Sequence, residues 1–311
     1  MRVLITGGAG FIGSALARRL IAEGHQVSVI DNLSTGKQAN IPKEAEFVEY
    51  DLAKADCLEH LPSGKFDAVC HLAAQSSGPA SIEMPYYDLQ ANAASTLLLS
   101  RWCLKNNVPR FLYASSMTVY GNKHASPVSE NAICEPIAYY GVSKLASEHL
   151  LRLASLEGLN VTSFRMFSVY GPGQNLENLK QGMVSIFMAY LLRGEETPVT
   201  GSLERFRDFI YIDDVVEAWM SALQMKQTPA PIYNLGTGTA TTVRELLKTL
   251  IHIMKLDANH PIKELQGSAF DQFGLTANIS LAEKDLNWKP KVNLYDGLSK
   301  MVAWAKKEIS S

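Results

Sequence analysis

The sequence predicts an α/β fold: a doubly wound parallel sheet followed by a smaller C-terminal α/β lobe. Three observations carry this prediction. The first half alternates short apolar runs with segments of helical period, the pattern of strand–helix–strand units with right-handed crossovers. The apolar runs are nearly continuous rather than alternating, as suits strands covered on both faces. The first run ends in a glycine-rich turn that opens a helix. At 311 residues the chain has room for one large domain or two modest ones, and a unit of that size buries a core without disulfides or metals.

Residues 3–6, 26–30, 46–50, 67–72, 110–115 and 160–166 read as strands, rich in Val, Ile, Phe and Tyr. Residues 11–23, 88–106 and 140–158 read as the helices between them. Gly171-Pro172-Gly173 breaks the pattern. Helices at about 180–193, 213–226, 241–255 and 293–308 follow, with short strands at 198–200, 209–212 and 232–234. In the helix carrying Leu97, Leu98, Leu99, Trp102, Cys103 and Leu104 the apolar residues circle the whole wheel. Such a helix is buried on every side, either by its own chain or by a second subunit.

Composition excludes several classes. Hydrophobic residues are 47% and charged residues 19%, ordinary for a folded globular chain. Twenty-nine Lys and Arg against 31 Asp and Glu leave a net charge of −2, so no basic excess points to nucleic acid or an anionic membrane. The four cysteines form no C-x-x-C pair and the seven histidines no H-x-x-x-H, so no metal site is expected. No window of 18 uncharged apolar residues offers a membrane span. The first residues lack a signal-peptide pattern, and a reduced, cytoplasmic protein is expected.

The turn Thr6-Gly7-Gly8-Ala9-Gly10-Phe11-Ile12-Gly13 contains G-x-G-x-x-G as Gly8, Gly10 and Gly13, and a looser G-x-x-G-x-x-G as Gly7, Gly10 and Gly13. Glycines there let the backbone approach a pyrophosphate, and the helix N-terminus offers N–H groups and a positive dipole end to it. Asp31 ends the second strand-like run, 31 − 13 = 18 residues beyond Gly13. A carboxylate in that place accepts hydrogen bonds from both adenosine ribose hydroxyls and repels a 2′-phosphate, which argues for NAD.

Tyr140-Gly141-Val142-Ser143-Lys144 starts a helix. Spacing i, i+4 puts the phenol and the ammonium on one face. A nearby cation favours phenolate and lowers a tyrosine pKa, giving an acid/base for work near neutral pH. Ser116 ends the fifth strand-like run, at the carboxyl edge where α/β sheets bind ligands, and its hydroxyl can hydrogen-bond a reacting oxygen. His71, on an apolar run, reads as a satisfied core histidine. Arg165 reads as a buried structural arginine, Asp213-Asp214 as a helix N-terminal cap, and the turn 234–238 as structural.

Together these residues resemble the extended short-chain dehydrogenase/reductases, in particular the nucleotide-sugar epimerase/dehydratase group. The fingerprints run in family order across nearly the whole chain: TGGAGFIG at 6–13, DNLSTG at 31–36, HLAAQ at 71–75, SSMTVYG at 115–121, YYGVSK at 139–144, RMFSVYGP at 165–172, RDFIYIDD at 207–214 and NLGTG at 234–238. The resemblance implies a Rossmann-type NAD-binding domain over residues 1–170, catalytic residues included, and a mainly nucleotide-sugar-binding lobe over 171–311. It implies that Phe11 and Ile12 meet the pyrophosphate through backbone amides, and that Asp31, Asn32, Ser34, Gly36 and Lys37 surround the adenosine ribose. Asp51 and Leu52 then meet the adenine. Leu72, Ala73, Ala74 and Gln75 line the dinucleotide, with Asn92 behind its nicotinamide half and Phe167 over the carboxamide end. Ser116, Tyr140 and Lys144 become the catalytic set.

For the sugar nucleotide, the resemblance implies a base-binding strand at Pro198, Val199 and Thr200 and a diphosphate-binding arginine at Arg207. Two positions depart from the group. Ser168 stands where an asparagine usually helps hold the diphosphate. The stretch Gly267-Ser268-Ala269-Phe270-Asp271 keeps the acid but lacks the usual second arginine. Leu275 aligns where bulk restricts the C2 side of the sugar. Homodimerisation through the helices near 88–106 and 140–158 is also implied, as is a place in polysaccharide biosynthesis.

The expected reaction is NAD-dependent 4-epimerisation of a UDP-hexose or UDP-N-acetylhexosamine through a transient 4-ketose. A 4,6-dehydratase needs an acid and a base beside the serine, and Met117 and Thr118 stand there instead. A 4-ketosugar reductase or 4-dehydrogenase shares the same catalytic set. A catalytically silent NAD-binding regulator is the alternative from another class, and such proteins typically lose the Tyr or Lys, both present here.

Overall fold

A computed structural model describes residues 1–122, 126–267 and 272–310. The first half runs β1 (Arg2–Thr6), α1 (Phe11–Ala22), β2 (Gln26–Asp31), β3 (Glu46–Glu49), β4 (Ala68–His71), α2 (Gly78–Glu83), α3 (Pro85–Leu89), α4 (Ser95–Lys105), β5 (Arg110–Ser116), α5 (Tyr139–Leu156) and β6 (Asn160–Met166). The second half runs β7 (Ser168–Tyr170), α6 (Met183–Arg193), β8 (Thr197–Thr200), β9 (Phe206–Arg207), β10 (Phe209–Tyr211), α7 (Ile212–Gln224), β11 (Ile232–Leu235), β12 (Thr241–Thr242), α8 (Val243–Met254), β13 (Ile262–Leu265), α9 (Ser280–Leu286) and α10 (Leu294–Ser310).

Seven strands form one parallel sheet in the order β11-β6-β5-β4-β1-β2-β3. The strand order reverses between β1 and β4, which opens a crevice at their carboxyl ends. Side chains alternate along each strand and feed two cores. From β1, Val3 and Ile5 pack with Leu16 and Leu20 of α1 and Trp219 of α7 on one face. Leu4 packs on the other face with Phe111 of β5, Leu99 of α4 and Leu151 of α5. Every residue of β5 is buried, as continuous hydrophobicity without alternation requires.

The segment expected as one helix over 88–106 is three pieces: α3, a π-helical turn at Gln90–Ala94, and α4. The strand expected at 232–234 belongs to the central sheet, where β11 pairs in parallel with β6. Residue 170 is therefore not a clean cut, because the second half returns a strand and α7 to the first. Local chemistry sets the later helices. Thr242 and Glu245 form a reciprocal capping box at the start of α8. Gly194 ends α6 in the left-handed region, at φ +69°.

Asp213 and Asp214 sit in the first turn of α7, where acids suit the dipole. The expected capping role is not what Asp214 performs. Its carboxylate accepts the backbone N–H groups of Lys291 (2.9 Å) and Val292 (3.1 Å), pinning the chain ahead of α10.

Candidate active site

A cavity of about 1030 Å³ opens over the carboxyl ends of β1, β4 and β5 and runs on to β8 and β9. Single-ligand pockets occupy roughly 300–1,000 Å³, so this cleft has room for a dinucleotide and a second ligand. Its floor is the glycine turn. The N-cap of α1 is Gly10, with no side-chain cap and no acid in the first turn, so the N–H end of the helix faces the cavity. A Cβ on Gly7, which lies at φ +72°, would stand 2.6 Å from Ala73 N; one on Gly36 would stand 2.6 Å from Ala9 C. Only bare backbone fits this cradle.

Asp31 is buried at the edge of the same cradle. One carboxylate oxygen accepts Ala9 N–H (2.9 Å) and the other Leu33 N–H (2.8 Å). Burial pushes its pKa up and these backbone donors pull it down. Each oxygen keeps a lone pair for a ribose hydroxyl. Asn32, Ser34, Asp51, Leu52, Leu72 and Ala74 also line the cavity, so the fit to a dinucleotide extends along its length. Gln75 lines it too, with its amide engaged by Ser77 in its own loop.

Ser116, Tyr140 and Lys144 converge on one wall. Ser115 and Ser116 end β5 pointing to opposite sides. Ser115 donates to the buried Glu148 (2.5 Å), whereas Ser116 faces the cavity and accepts from Thr118 Oγ1 (3.0 Å). Lys144, 2% exposed, donates to Ala114 O (2.9 Å). Its ammonium lies over the rings of Tyr113 (4.9 Å) and Tyr140 (5.7 Å).

The spacing argument expected a lowered tyrosine pKa, and the structure reverses it. Burial pushes the Tyr140 phenol up to about 12, against the hydrogen bond from Ser116 and with added repulsion from Asp88. Lys144 does not offset this, because its ammonium is turned to Ala114 O and lies beneath the ring. Burial in turn brings Lys144 down to about 7, with Asp88 and Glu148 opposing.

Other sequence-marked residues divide in two. Phe167, Ser168, Pro198, Thr200 and Arg207 line the cavity. Lys37, Asn92 and Val199 do not. Lys37 is exposed and pairs with Glu177 at 2.7 Å. Asn92 lies behind the wall, donating to Gln75 O (3.0 Å) and Ser143 Oγ (2.9 Å). Val199 faces the core because its neighbours on the strand face the cavity. Asp271 falls outside the described residues. Leu275 is fully buried against Met117, Val119 and Phe167.

His71 is satisfied by Thr6 (2.7 Å) and Thr96 (3.1 Å). Burial, then the Lys144 charge, lowers its pKa to about 3, which keeps it neutral. The turn at 234–238 is held by the buried Asp208, which accepts from Thr237 N (2.7 Å) and Gly238 N (2.9 Å) and adds Ala277 N (2.9 Å).

Several lining residues went unmarked in the sequence. Arg205 is buried beside Arg207 and donates to Thr200 O; its i, i+2 spacing from Arg207 in E-R-F-R was a readable signal. Tyr87 donates to Asp51 (3.2 Å) and had no signal. The segment 174–182 was unreadable because its partners are remote. Gln181 donates to Ser76 (2.7 Å), Ser77 to Lys180 O (3.3 Å), and Lys180 pairs with Glu83 (3.4 Å). Among the described residues, no three His, Cys, Asp or Glu side chains are placed to hold a metal, and no helix is long and apolar enough to cross a membrane.

The family model for the NAD dependent epimerase/dehydratase family matches residues 3–236. A UDP-glucose 4-epimerase of Mycolicibacterium smegmatis is 34% identical, over 97% of this chain and 97% of its own. The structure of a Thermotoga maritima UDP-glucose 4-epimerase with UDP-glucose superposes with a TM-score of 0.93 at 36% identity, covering 99% of this chain and all of that one. A UDP-N-acetylglucosamine 4-epimerase from Methanobrevibacter ruminantium, in complex with UDP-N-acetylmuramic acid, gives 0.90 at 29% identity, over 99% of this chain and 98% of that one.

Proposed function

From its membership of the NAD-dependent epimerase/dehydratase family, to which this chain belongs, we propose that it is a nucleotide-sugar 4-epimerase acting on a UDP-hexose or UDP-N-acetylhexosamine. The observation that carries this reading is the convergence of Ser116, Tyr140 and Lys144 on the wall of a cavity with room for two ligands, with no acid–base pair beside them. Met117 is buried in an apolar cluster and Thr118 is bonded to Ser116, so the proton transfers of a 4,6-dehydratase have no donor at those positions.

In this reading Ser116 and Tyr140 hold the C4 hydroxyl between them. Tyr140 takes its proton as C4 becomes a ketone and returns it once the sugar has presented its other face. Bound NAD would supply a reversible hydride acceptor and, when oxidised, a positive charge that favours phenolate. Lys144 holds a proton at Nζ beneath the Tyr140 ring. The glycine turn, the N-terminus of α1 and Asp31 hold the dinucleotide. Arg207 and Ser168 hold the diphosphate, and the backbone of 198–200 meets the base. The 1–170 and 171–311 division serves as a division of labour between cofactor and sugar nucleotide.

Incubation with UDP- and GDP-sugars, read by NMR with and without NADH, tests the proposal. C4 epimers at equilibrium without net redox are expected. Stoichiometric NADH consumption would make the enzyme a 4-reductase, and loss of water from C6 a dehydratase.

The assembly we propose is a homodimer through α4 and α5. Val142, His149, Leu153 and Leu156 recur on one exposed face of α5, and Leu97 stands exposed on α4 while Leu99 and Cys103 fill the core. An exposed apolar helix face of this kind suits a self-complementary interface. A Leu97→Glu, Leu153→Glu variant is expected to sediment as a monomer where the wild type sediments as a dimer. An unchanged sedimentation coefficient would remove this interface. The four cysteines are free thiols, which supports a reducing, cytoplasmic setting, and its product would feed polysaccharide biosynthesis.

A further inference from the structure

Asp88 is a buried acid that the proposed reaction does not use. It sits in α3, 1% exposed, and three neutral groups donate to its carboxylate: Ser143 Oγ (2.6 Å), Asn92 Nδ2 (3.1 Å) and Gln75 Nε2 (3.2 Å). Each belongs to a different part of the site. Ser143 lies on α5 between Tyr140 and Lys144. Gln75 belongs to the loop that walls the cavity, and it clamps that loop through both atoms of its amide. Asn92 occupies the π-helical turn, whose extra residue brings its amide within reach of α5 and the loop together.

Neutral donors alone leave a buried negative charge poorly compensated. Burial raises the Asp88 pKa, and the Ser143 hydroxyl and then the Lys144 charge act against that rise. Lys144 is itself buried, and its ammonium donates to the Ala114 carbonyl. The groups facing it are Tyr140 and Glu148 from α5, Tyr113 from β5, His71 from β4 and Asp88 from α3. His71 is neutral, and burial holds the Tyr113 phenol above its usual range. Glu148 is committed to Ser115 and to two nitrogens of Arg165 (2.9 and 2.7 Å).

We propose that Asp88 is a positioning residue for the epimerase reaction: its carboxylate is the counter-charge of the Lys144 ammonium and, through Ser143 and Gln75, it fixes the turn carrying Tyr140 and Lys144 against the cavity-lining loop. The inference rests on the epimerase reading above. It assigns the site a second anion besides Glu148, one whose charge is not already neutralised by an arginine.

Asp88→Asn tests it, since the amide keeps the shape and removes the charge. Loss of a nearby anion eases deprotonation of Tyr140 and Lys144 alike, so both limbs of the pH profile of kcat are expected to move to lower pH by about one unit. KM for the sugar nucleotide stays near the wild-type value. The ultraviolet difference signal of ionised tyrosine, with Tyr140→Phe as the blank, is expected to move the same way without any turnover. Asp88→Glu returns both titrations toward wild type. Ser143→Ala lowers kcat and leaves the limbs in place. Should Asp88→Asn not fold, Asp88→Ser is read by the same two titrations. Superimposable profiles for wild type and the uncharged variant would overturn the proposal. A wild type inactive on every sugar nucleotide would overturn the epimerase reading instead, and the phenol titration would still decide the role of Asp88.

Discussion

Tyr140→Phe is expected to lower turnover by about 10²–10⁴-fold while the purified protein still carries NAD. The ring stays against its neighbours, so the substitution removes one oxygen and little packing. What is lost is the proton acceptor for the C4 hydroxyl. Ser116 keeps its bonds to Thr118 and remains a hydrogen-bonding partner without being a base. The wild-type phenol, pushed up to about 12, and Lys144, brought down to about 7, also predict an activity that rises with pH only until Lys144 gives up its proton, so the profile has two limbs. Deprotonation of the phenol is the limiting fraction below its pKa, and any field that lowers that pKa raises the rate at neutral pH. Steady-state assays across pH, with cofactor content measured from the absorbance of released NAD, check both points. Wild-type turnover by the phenylalanine variant would end the assignment of Tyr140 as the base.

The largest expected loss of stability follows from breaking the Glu148–Arg165 pair. Both side chains are buried, at 3% and 4% exposure. Glu148 accepts two guanidinium bonds and one from Ser115, while Arg165 also donates to Glu130 O and lies 4.8 Å from the centre of the Tyr120 ring. Glu148→Ala leaves a guanidinium buried without its carboxylate, and costs of about 3–5 kcal/mol are typical of such breaks. Denaturant midpoints measure it. The double variant Glu148→Leu, Arg165→Met is expected to recover most of the loss, because it removes both charges together. A single-variant loss below about 1 kcal/mol would class the pair with surface ion pairs.

The parts legible in the sequence were those whose physics is local. A strand, a glycine turn and a helix start within thirteen residues, and Asp31 follows at the next strand end, so the dinucleotide cradle could be read from spacing. Tyr140 and Lys144 announced themselves by one helical turn. The same reasoning misjudged their electrostatics, since spacing reports which face a side chain occupies and not how deeply it is buried or where its charge points. Asp88 meets Ser143 across 55 residues, and Lys37 meets Glu177 across 140. Pairings of that range depend on the assembled sheet and leave no periodicity behind. The return of β11 to the sheet was hidden for the same reason: a four-residue strand reads alike in a central sheet or a small lobe.

The neighbouring serines at the end of β5 carry a consequence of their own. Ser115 is paired in register with Arg165, and Ser116 with Met166. Because side chains change face at every step, parity alone decides which hydroxyl faces the reaction and which anchors the Glu148–Arg165 pair. A one-residue insertion or deletion early in β5 would exchange the two assignments, turning the anchor into the cavity and burying the reactive hydroxyl against a carboxylate. This strand can therefore tolerate a change of residue far better than a change of length.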